Sequence, residues 1–330
     1  MRLERKLGQA TRDAYGKTLA ELGKTNPNIV VLDGDLAKST KTDYFRKAFP
    51  DRFFNVGIAE ANLVGLASGL AASGKLPFIS SFACFMMCKG YDQLRMGVAF
   101  PELNVKVVAS HGGISVGEDG ASQQSIEDLA LAASLPNFTV IVPADEVSTD
   151  VLVRKLAALK GPVFMRTCRS KAPIIYKSGT HFEIGKGVVV RKGNDVAILA
   201  VGLLVFEALE AAETLAEKGI QATVVDMHTL KPVDRDLILN LSKQTGAMVT
   251  CEEHSIYGGL GSIISRVVTQ EAPCPMEFVA IRDTYAESGT PDELLERYGL
   301  TAPHIVKAAE RAVSRKNTGR RPQGEVSKPD

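Results

Sequence analysis

The chain has no tryptophan, aromatic residues make up 6% of its 330 residues, and its five cysteines (Cys84, Cys88, Cys168, Cys251 and Cys274) include no CxxC pair. An odd cysteine count without close pairs argues against a secreted disulfide framework and reads as reduced thiols. Cys84 and Cys88, four apart, would share a helix face. With no histidine or further cysteine nearby they fall short of a zinc ligand set and read as packing residues. No excess of one charge is present either: 39 Lys and Arg face 38 Asp and Glu, a net charge of +1, so neither nucleic acid nor membrane is implied as a partner. No run approaches the roughly 18 apolar residues of a membrane span, and Met1-Arg2-Leu3-Glu4-Arg5-Lys6 lacks the apolar stretch of a signal peptide. The expected compartment is the cytoplasm.

What the chain does have is length and alternation. Its 330 residues suffice for two α/β domains of roughly 150 residues each. Apolar residues recur at helical spacing over 9–22, and residues 28–33 read as a buried strand ending in an acidic loop. Strands are predicted at 53–56, 77–80, 105–109, 139–142 and 163–166, with helices at 61–72, 86–100, 125–133 and 147–159. That order predicts a mostly parallel, doubly wound sheet covered on both faces. Pro173 and Gly179 mark a connecting segment, residues 173–184, between a first unit at 1–172 and a smaller α/β unit at 185–314. In the second unit 196–201, 222–225, 247–251 and 277–280 read as strands, and 203–218 as a helix stopped by Gly219. Residues 315–330 hold one aliphatic residue, Val326, and predict a disordered tail. No internal repeat is visible.

The candidate chemistry begins at Asn55-Val56-Gly57-Ile58-Ala59-Glu60, a strand end that turns through glycine into a helix led by one carboxylate. Ligands of α/β sheets gather at the carboxyl ends of parallel strands, so Glu60 is a candidate. Taken alone, a first-turn glutamate equally serves only to favour a helix N-terminus. Likewise Phe82 and Phe85, three apart, would read as core by composition. Asp35, beside Asp33, could simply cap the helix that follows.

Motifs in one register narrow these choices. Asp51-Arg52-Phe53-Phe54-Asn55-Val56-Gly57-Ile58-Ala59-Glu60 resembles the "DRF…IAE" segment of the transketolase family of thiamine-diphosphate enzymes. Phe78-Ile79-Ser80-Ser81-Phe82-Ala83-Cys84-Phe85 resembles its "P-F-x-S-T-F-x-x-F" strand and turn. His111-Gly112-Gly113-Ile114-Ser115-Val116-Gly117-Glu118-Asp119-Gly120 resembles its "H-x-G-x-S-x-G-E-D-G" loop. The resemblance implies a pyrimidine-binding domain at 1–172 and a transketolase C-terminal domain at 185–314. It implies that Glu60 hydrogen-bonds the cofactor's pyrimidine nitrogen and promotes deprotonation of the thiazolium carbon, work that a carboxyl of burial-raised pKa does best. It also implies that Phe82 and Phe85 form the aromatic slot for the ring and that Asp35 approaches the cofactor. A further family aromatic is replaced by Cys88.

For the substrate, the resemblance implies phosphate binding by Arg12, Ser39 and Arg169, a sugar-hydroxyl acceptor in Asp119, and contact by His111 near the reacting carbon. Gln123 stands where many bacterial and yeast members carry histidine and the vertebrate type glutamine; an amide hydrogen-bonds a hydroxyl but carries no proton. His254 has a structural or dimer role.

The diphosphate-binding domain of full-length members, with its "G-D-G" element and later asparagine, is missing; Gly34-Asp35-Leu36 and Gly117-Glu118-Asp119-Gly120 are lookalikes. The expected enzyme is therefore split. A partner chain would hold the diphosphate through Mg²⁺ or Ca²⁺, this half would be inactive alone, and the assembly would be an α2β2 heterotetramer. The reaction expected is ketol transfer between phosphosugars of the pentose phosphate pathway. Alternatives are a transketolase for a modified sugar, the beta subunit of a 2-oxo acid dehydrogenase, a deoxyxylulose-phosphate synthase fragment, or a non-catalytic regulatory subunit.

Overall fold

The computed structural model describes residues 4–318. In chain order the strands are β1 Leu7–Ala10, β2 Ile29–Asp33, β3 Phe53–Asn55, β4 Leu76–Ser80, β5 Lys106–Ala109, β6 Thr139–Ile141, β7 Val163–Arg166, β8 Lys171–Pro173, β9 Val188–Arg191, β10 Val196–Ala200, β11 Ala222–Asp226, β12 Thr229–Lys231, β13 Met248–Ser255 and β14 Met276–Ile281. The helices are α1 Thr11–Thr25, α2 Ala37–Thr40, α3 Asp43–Ala48, α4 Glu60–Ala72, α5 Ala83–Lys89, α6 Tyr91–Gln93, α7 Asp128–Ser134, α8 Glu146–Ala158, α9 Leu204–Glu217, α10 Arg235–Thr245, α11 Leu260–Glu271, α12 Pro291–Arg297 and α13 Ala302–Thr318.

The runs Ile29–Asp33 and Leu76–Ser80 are buried at every position, as strands covered on both faces must be. Side chains alternate between the faces. Val31, Phe78 and Val108 pack with Tyr15, Phe45 and Leu152 on one side. Val30, Leu32 and Ile79 pack with Leu63, Met86 and Leu129 on the other. The resulting sheet runs β12-β6-β7-β5-β4-β2-β3 and is parallel from β6 to β3. The second sheet, β14-β13-β10-β11-β9, is parallel except for β9. Two doubly wound α/β units are thus present. Among the described residues no helix is long and apolar enough to cross a membrane.

Several local expectations change. Residues 9 and 10, read as helix, belong to β1, which pairs with β8. The single helix expected over 86–100 is α5, α6 and a π-helical turn at Leu94–Ala99. It breaks at Gly90, where a side chain would stand 2.8 Å from the Met86 carbonyl and 3.2 Å from Val64 of α4. The helix expected to open at residue 125 starts at Asp128, because Ser125 bridges back to Gly113.

The short strand β12, not foreseen, leaves the second unit to pair antiparallel with β6 of the first. The connecting segment is also anchored. Asp145 Oδ2 accepts from the amides of Ile175 and Tyr176, both at 2.9 Å, and the Tyr176 hydroxyl donates to Asp226 at 2.8 Å. Phe182 is fully buried edge-on to Tyr176, a burial worth about 2–3 kcal/mol. Finally, α13 continues to Thr318, four residues into the stretch read as tail, with Arg311 and Arg315 both reaching Glu277 of β14. The remainder of that stretch, 319–330, lies outside the described residues.

Candidate active site

The carboxyl ends of β5, β4, β2 and β3 lie side by side, and the chain leaves each of them through polar residues. Asp33 is in register with Ser80 on one side and Asn55 on the other. Asp33 is buried and holds the following loop: it accepts from the Leu36 amide at 2.6 Å and from the hydroxyls of Thr40 at 2.7 Å and Thr42 at 2.8 Å. Burial pushes its pKa up against these donors.

Glu60 opens α4 behind a turn at Gly57, whose φ of 76° suits glycine. Its side chain points into the sheet edge and is 2% exposed, with Ser81 Oγ donating to Oε1 at 3.0 Å. Among the described residues Ser81 is the hydrogen-bond donor to this carboxylate, which leaves the second oxygen capacity for another partner.

One residue beyond Ser81, Phe82 bridges to Ser110 and caps α5. That bridge sets three rings in a row. Phe85 lies 5.5 Å from Phe82 with 16° between planes, and His111 lies 3.7 Å from its ring centre with 20° between planes. Lys89 stands 4.6 Å from the Phe85 ring centre. Cys88, at the position of the further family aromatic, is exposed beside Glu127 at 3.8 Å.

His111 sits in the left-handed region at φ 61°, a conformation costing a non-glycine residue about 1 kcal/mol or more. Its Nε2 is 3.3 Å from Arg12 Nη1 and its Nδ1 is 2.8 Å from Ser110 Oγ. A guanidinium only donates, so Nε2 is the acceptor and the ring proton resides on Nδ1, facing Ser110. Burial first, then the Arg12 and Arg169 charges, push the His111 pKa down to about 3. The imidazole is neutral at pH 7.

Arg12, on α1, also donates to the Ser39 carbonyl at 3.0 Å, while its buried Nε has no partner among the described residues. Burial lowers its pKa, and Arg169 adds to that while Asp119 opposes it, so all three charges share one field. Arg169 donates to the Val116 carbonyl at 2.6 Å and pairs with Glu118 at 2.8 Å. Asp119 is exposed on the same loop.

The proposed residues therefore divide. Arg12, Ser39, His111, Phe82 and Phe85 form one connected set, and Glu60 joins it through Ser81. Ser39 contributes its carbonyl to that set. Asp35, at φ 70°, is on the exposed rim, where it accepts from Asn55 at 2.7 Å. Gln123 is half-buried beside α5, its carbonyl accepting from Cys84 at 3.3 Å. His254 is buried away from this set: it accepts from the Ala130 amide at 3.3 Å and faces the Ser255 carbonyl at 2.8 Å. The sequence reading gave no role to Ser81, although it lies within the Phe78–Phe85 motif, or to Ser110, whose signal is a serine just past the end of β5. It also missed the cluster of Arg166, Asp128 and Glu253, which no local spacing reveals.

Comparisons with known proteins identify the family. The family described as "Transketolase, pyrimidine binding domain" matches residues 8–174, and "Transketolase, C-terminal domain" matches residues 185–305. A putative transketolase C-terminal section from Methanocaldococcus jannaschii is 46% identical over 299 residues, covering 90% of this chain and 94% of that protein. A 6-deoxy-6-sulfo-D-fructose transketolase subunit from a Clostridium species is 41% identical over 306 residues, 93% of this chain and 95% of that one. Among solved structures, a split gene transketolase described as an inactive beta4 tetramer superimposes with a TM-score of 0.88 at 51% identity, covering 94% of this chain and all of that one. With a pyrimidine-binding domain that implies thiamine-diphosphate dependence, followed by the matching C-terminal domain, this chain belongs to the transketolase family.

Proposed function

We propose that this chain is the C-terminal subunit of a two-chain transketolase that transfers a two-carbon ketol unit between phosphosugars of the pentose phosphate pathway, in the cytoplasm. The observation that carries this reading is the buried Glu60 carboxylate, held among the described residues by the single donor Ser81, next to the Phe82–Phe85 stack. These residues fit the cofactor's pyrimidine end: a flat ring suits the aromatic faces, and the free Glu60 oxygen suits a ring nitrogen. Bound there, thiamine diphosphate supplies the acidic carbon and the electron sink of the reaction.

The chain's own residues do the rest. Glu60 shares a proton with the pyrimidine nitrogen. Phe82 and Phe85 orient the ring and exclude water from that proton. Neutral His111, ordered by Ser110 and Arg12, meets the sugar by contact and by exchanging the Arg12 donor at Nε2 for a sugar hydroxyl, because an imidazole neutral at pH 7 carries no proton to spare as a cation. Arg12 and Arg169, with the Ser39 turn, attract the phosphate, and an anion between them relieves their mutual repulsion. Exposed Asp119 and half-buried Gln123 accept from sugar hydroxyls, and Asp35 on the rim meets the cofactor's edge.

The cofactor diphosphate and its Mg²⁺ or Ca²⁺ belong to an N-terminal partner chain, and two copies of each chain make an α2β2 assembly. Inactivity of the isolated chain is supported by the description of the 51%-identical split gene protein as an inactive tetramer.

A second reading has a specific support. The 41%-identical Clostridium protein is described as acting with 6-deoxy-6-sulfo-D-fructose, and a guanidinium pair accepts a sulfonate as well as a phosphate. Steady-state transfer by the mixture of both chains, offered xylulose 5-phosphate or 6-deoxy-6-sulfofructose as donor, decides between them. A higher kcat/KM for the phosphosugar supports the pentose-phosphate reading; a higher value for the sulfosugar replaces it, and transfer from neither removes the ketol-transfer assignment.

A further inference from the structure

The loop that carries His111 is bolted from behind by the other domain. A side chain at Gly112 would overlap Arg166 Nε, and one at Gly113, whose φ is 81°, would overlap the carboxyl carbon of Glu253. Those two residues therefore occupy the space beside the backbone that follows His111. Glu253, on β13 of the C-terminal domain, accepts from the Ser115 amide through Oε1 and from Arg166 Nη2 through its backbone carbonyl at 2.7 Å. Arg166 Nε also lies 3.5 Å from Asp128 Oδ2, a carboxylate with no hydrogen bond to either oxygen among the described residues. One guanidinium thus holds the Glu253 backbone and stands beside the Asp128 carboxylate, while the Glu253 carboxylate is the one that touches the loop. Left-handed backbone at a residue such as His111 persists only where its surroundings over-determine it.

We infer that Glu253 is a positioning residue: through Ser115 and Arg166 it clamps residues 111–119, so that the C-terminal domain sets where His111 and Asp119 meet the sugar. The assignment rests on the ketol-transfer reading, but the clamp itself is a property of this chain alone. Truncating Glu253 leaves the Ser115 amide without an acceptor and opens space beside Gly113, and the loop can then leave its left-handed turn. A glutamine at 253 keeps an oxygen for Ser115.

The test compares Glu253→Ala and Glu253→Gln in the full chain. Without sugar or partner, amide hydrogen exchange at residues 112–117 should be about tenfold faster or more in Glu253→Ala, with β10 and β11 at wild-type rates. Glu253→Gln should remain near wild type. In the two-chain mixture Glu253→Ala should lower kcat/KM about tenfold or more, as misplaced substrate contacts do, and Glu253→Gln should restore most of it. Wild-type loop exchange or wild-type kinetics in Glu253→Ala overturns the inference, as does acceleration spread evenly over both domains. Because exchange is read without substrate, a wild-type mixture lacking ketol transfer would strike the functional reading and leave the clamp standing.

Discussion

Around the carboxyl ends of β3, β4 and β5 polar side chains keep capacity to spare, while at the carboxyl end of β13 the two glutamates are consumed inside the protein. Among the described residues the second Glu60 oxygen accepts no hydrogen bond and Arg12 Nε is unpartnered, and His111 holds a strained backbone. In the second domain, Glu252 accepts from the Leu260 and Gly261 amides at 2.7 and 2.8 Å to cap α11. Glu253 is spent on the first domain's loop. Similar folds thus carry different duties, and what separates Glu60 from Glu252 and Glu253 is how far each carboxylate finds partners within the chain.

Mutations that exchange these duties would break the contrast. The largest effect is expected at Glu60. Glu60→Gln should lower turnover on the order of 10³-fold, since in the proposed function it removes the group that shares the pyrimidine proton, with assembly unchanged by size-exclusion chromatography. Arg169→Ala should raise the phosphosugar KM about 10- to 100-fold at nearly constant kcat, corresponding to one charge-assisted hydrogen bond in binding. In the second domain the same kind of truncation should act on stability. Glu252→Ala leaves two helix amides uncapped and should cost about 3 kcal/mol in urea unfolding while KM stays at its wild-type value.

The smallest effect sharpens the comparison through pH. Burial pushes the pKa of His228, in the second domain, down to about 4, so the folded state keeps it neutral. Below its ordinary value near 6.5 the unfolded chain binds a proton that the folded chain refuses, so stability falls as pH drops from about 6.5 toward 4. His228→Gln should flatten that part of the stability profile in pH-dependent thermal melts without altering KM.

Much of the fold is legible because parallel strands buried on both faces must be continuous apolar runs, as Ile29–Asp33 and Leu76–Ser80 are. The proposed site is drawn from the sequence for a different reason. The motif around Glu60 names residues that composition would have assigned to helix capping or core. What stays hidden depends on distant partners: β12 has three residues and acquires meaning only against β6. The connecting segment looks like a linker until Tyr176 meets Asp226, 50 positions on. Arg166 and Glu253 are 87 residues apart, and their joint presence beside Gly112 and Gly113 is the reason those two positions are glycine. Even the end of α13 turns on Arg315 reaching Glu277.

The central claim is that this chain holds half of a ketol-transfer site. Its most direct test is transfer from xylulose 5-phosphate to ribose 5-phosphate, with thiamine diphosphate and Mg²⁺, by the chain alone and after mixing with a chain that carries the diphosphate-binding domain. The expected result is no turnover by the chain alone, turnover in the mixture, and its loss when Glu60→Gln replaces the wild type in that mixture. Turnover by the isolated chain, or no turnover in a mixture shown to form the complex, would contradict the claim.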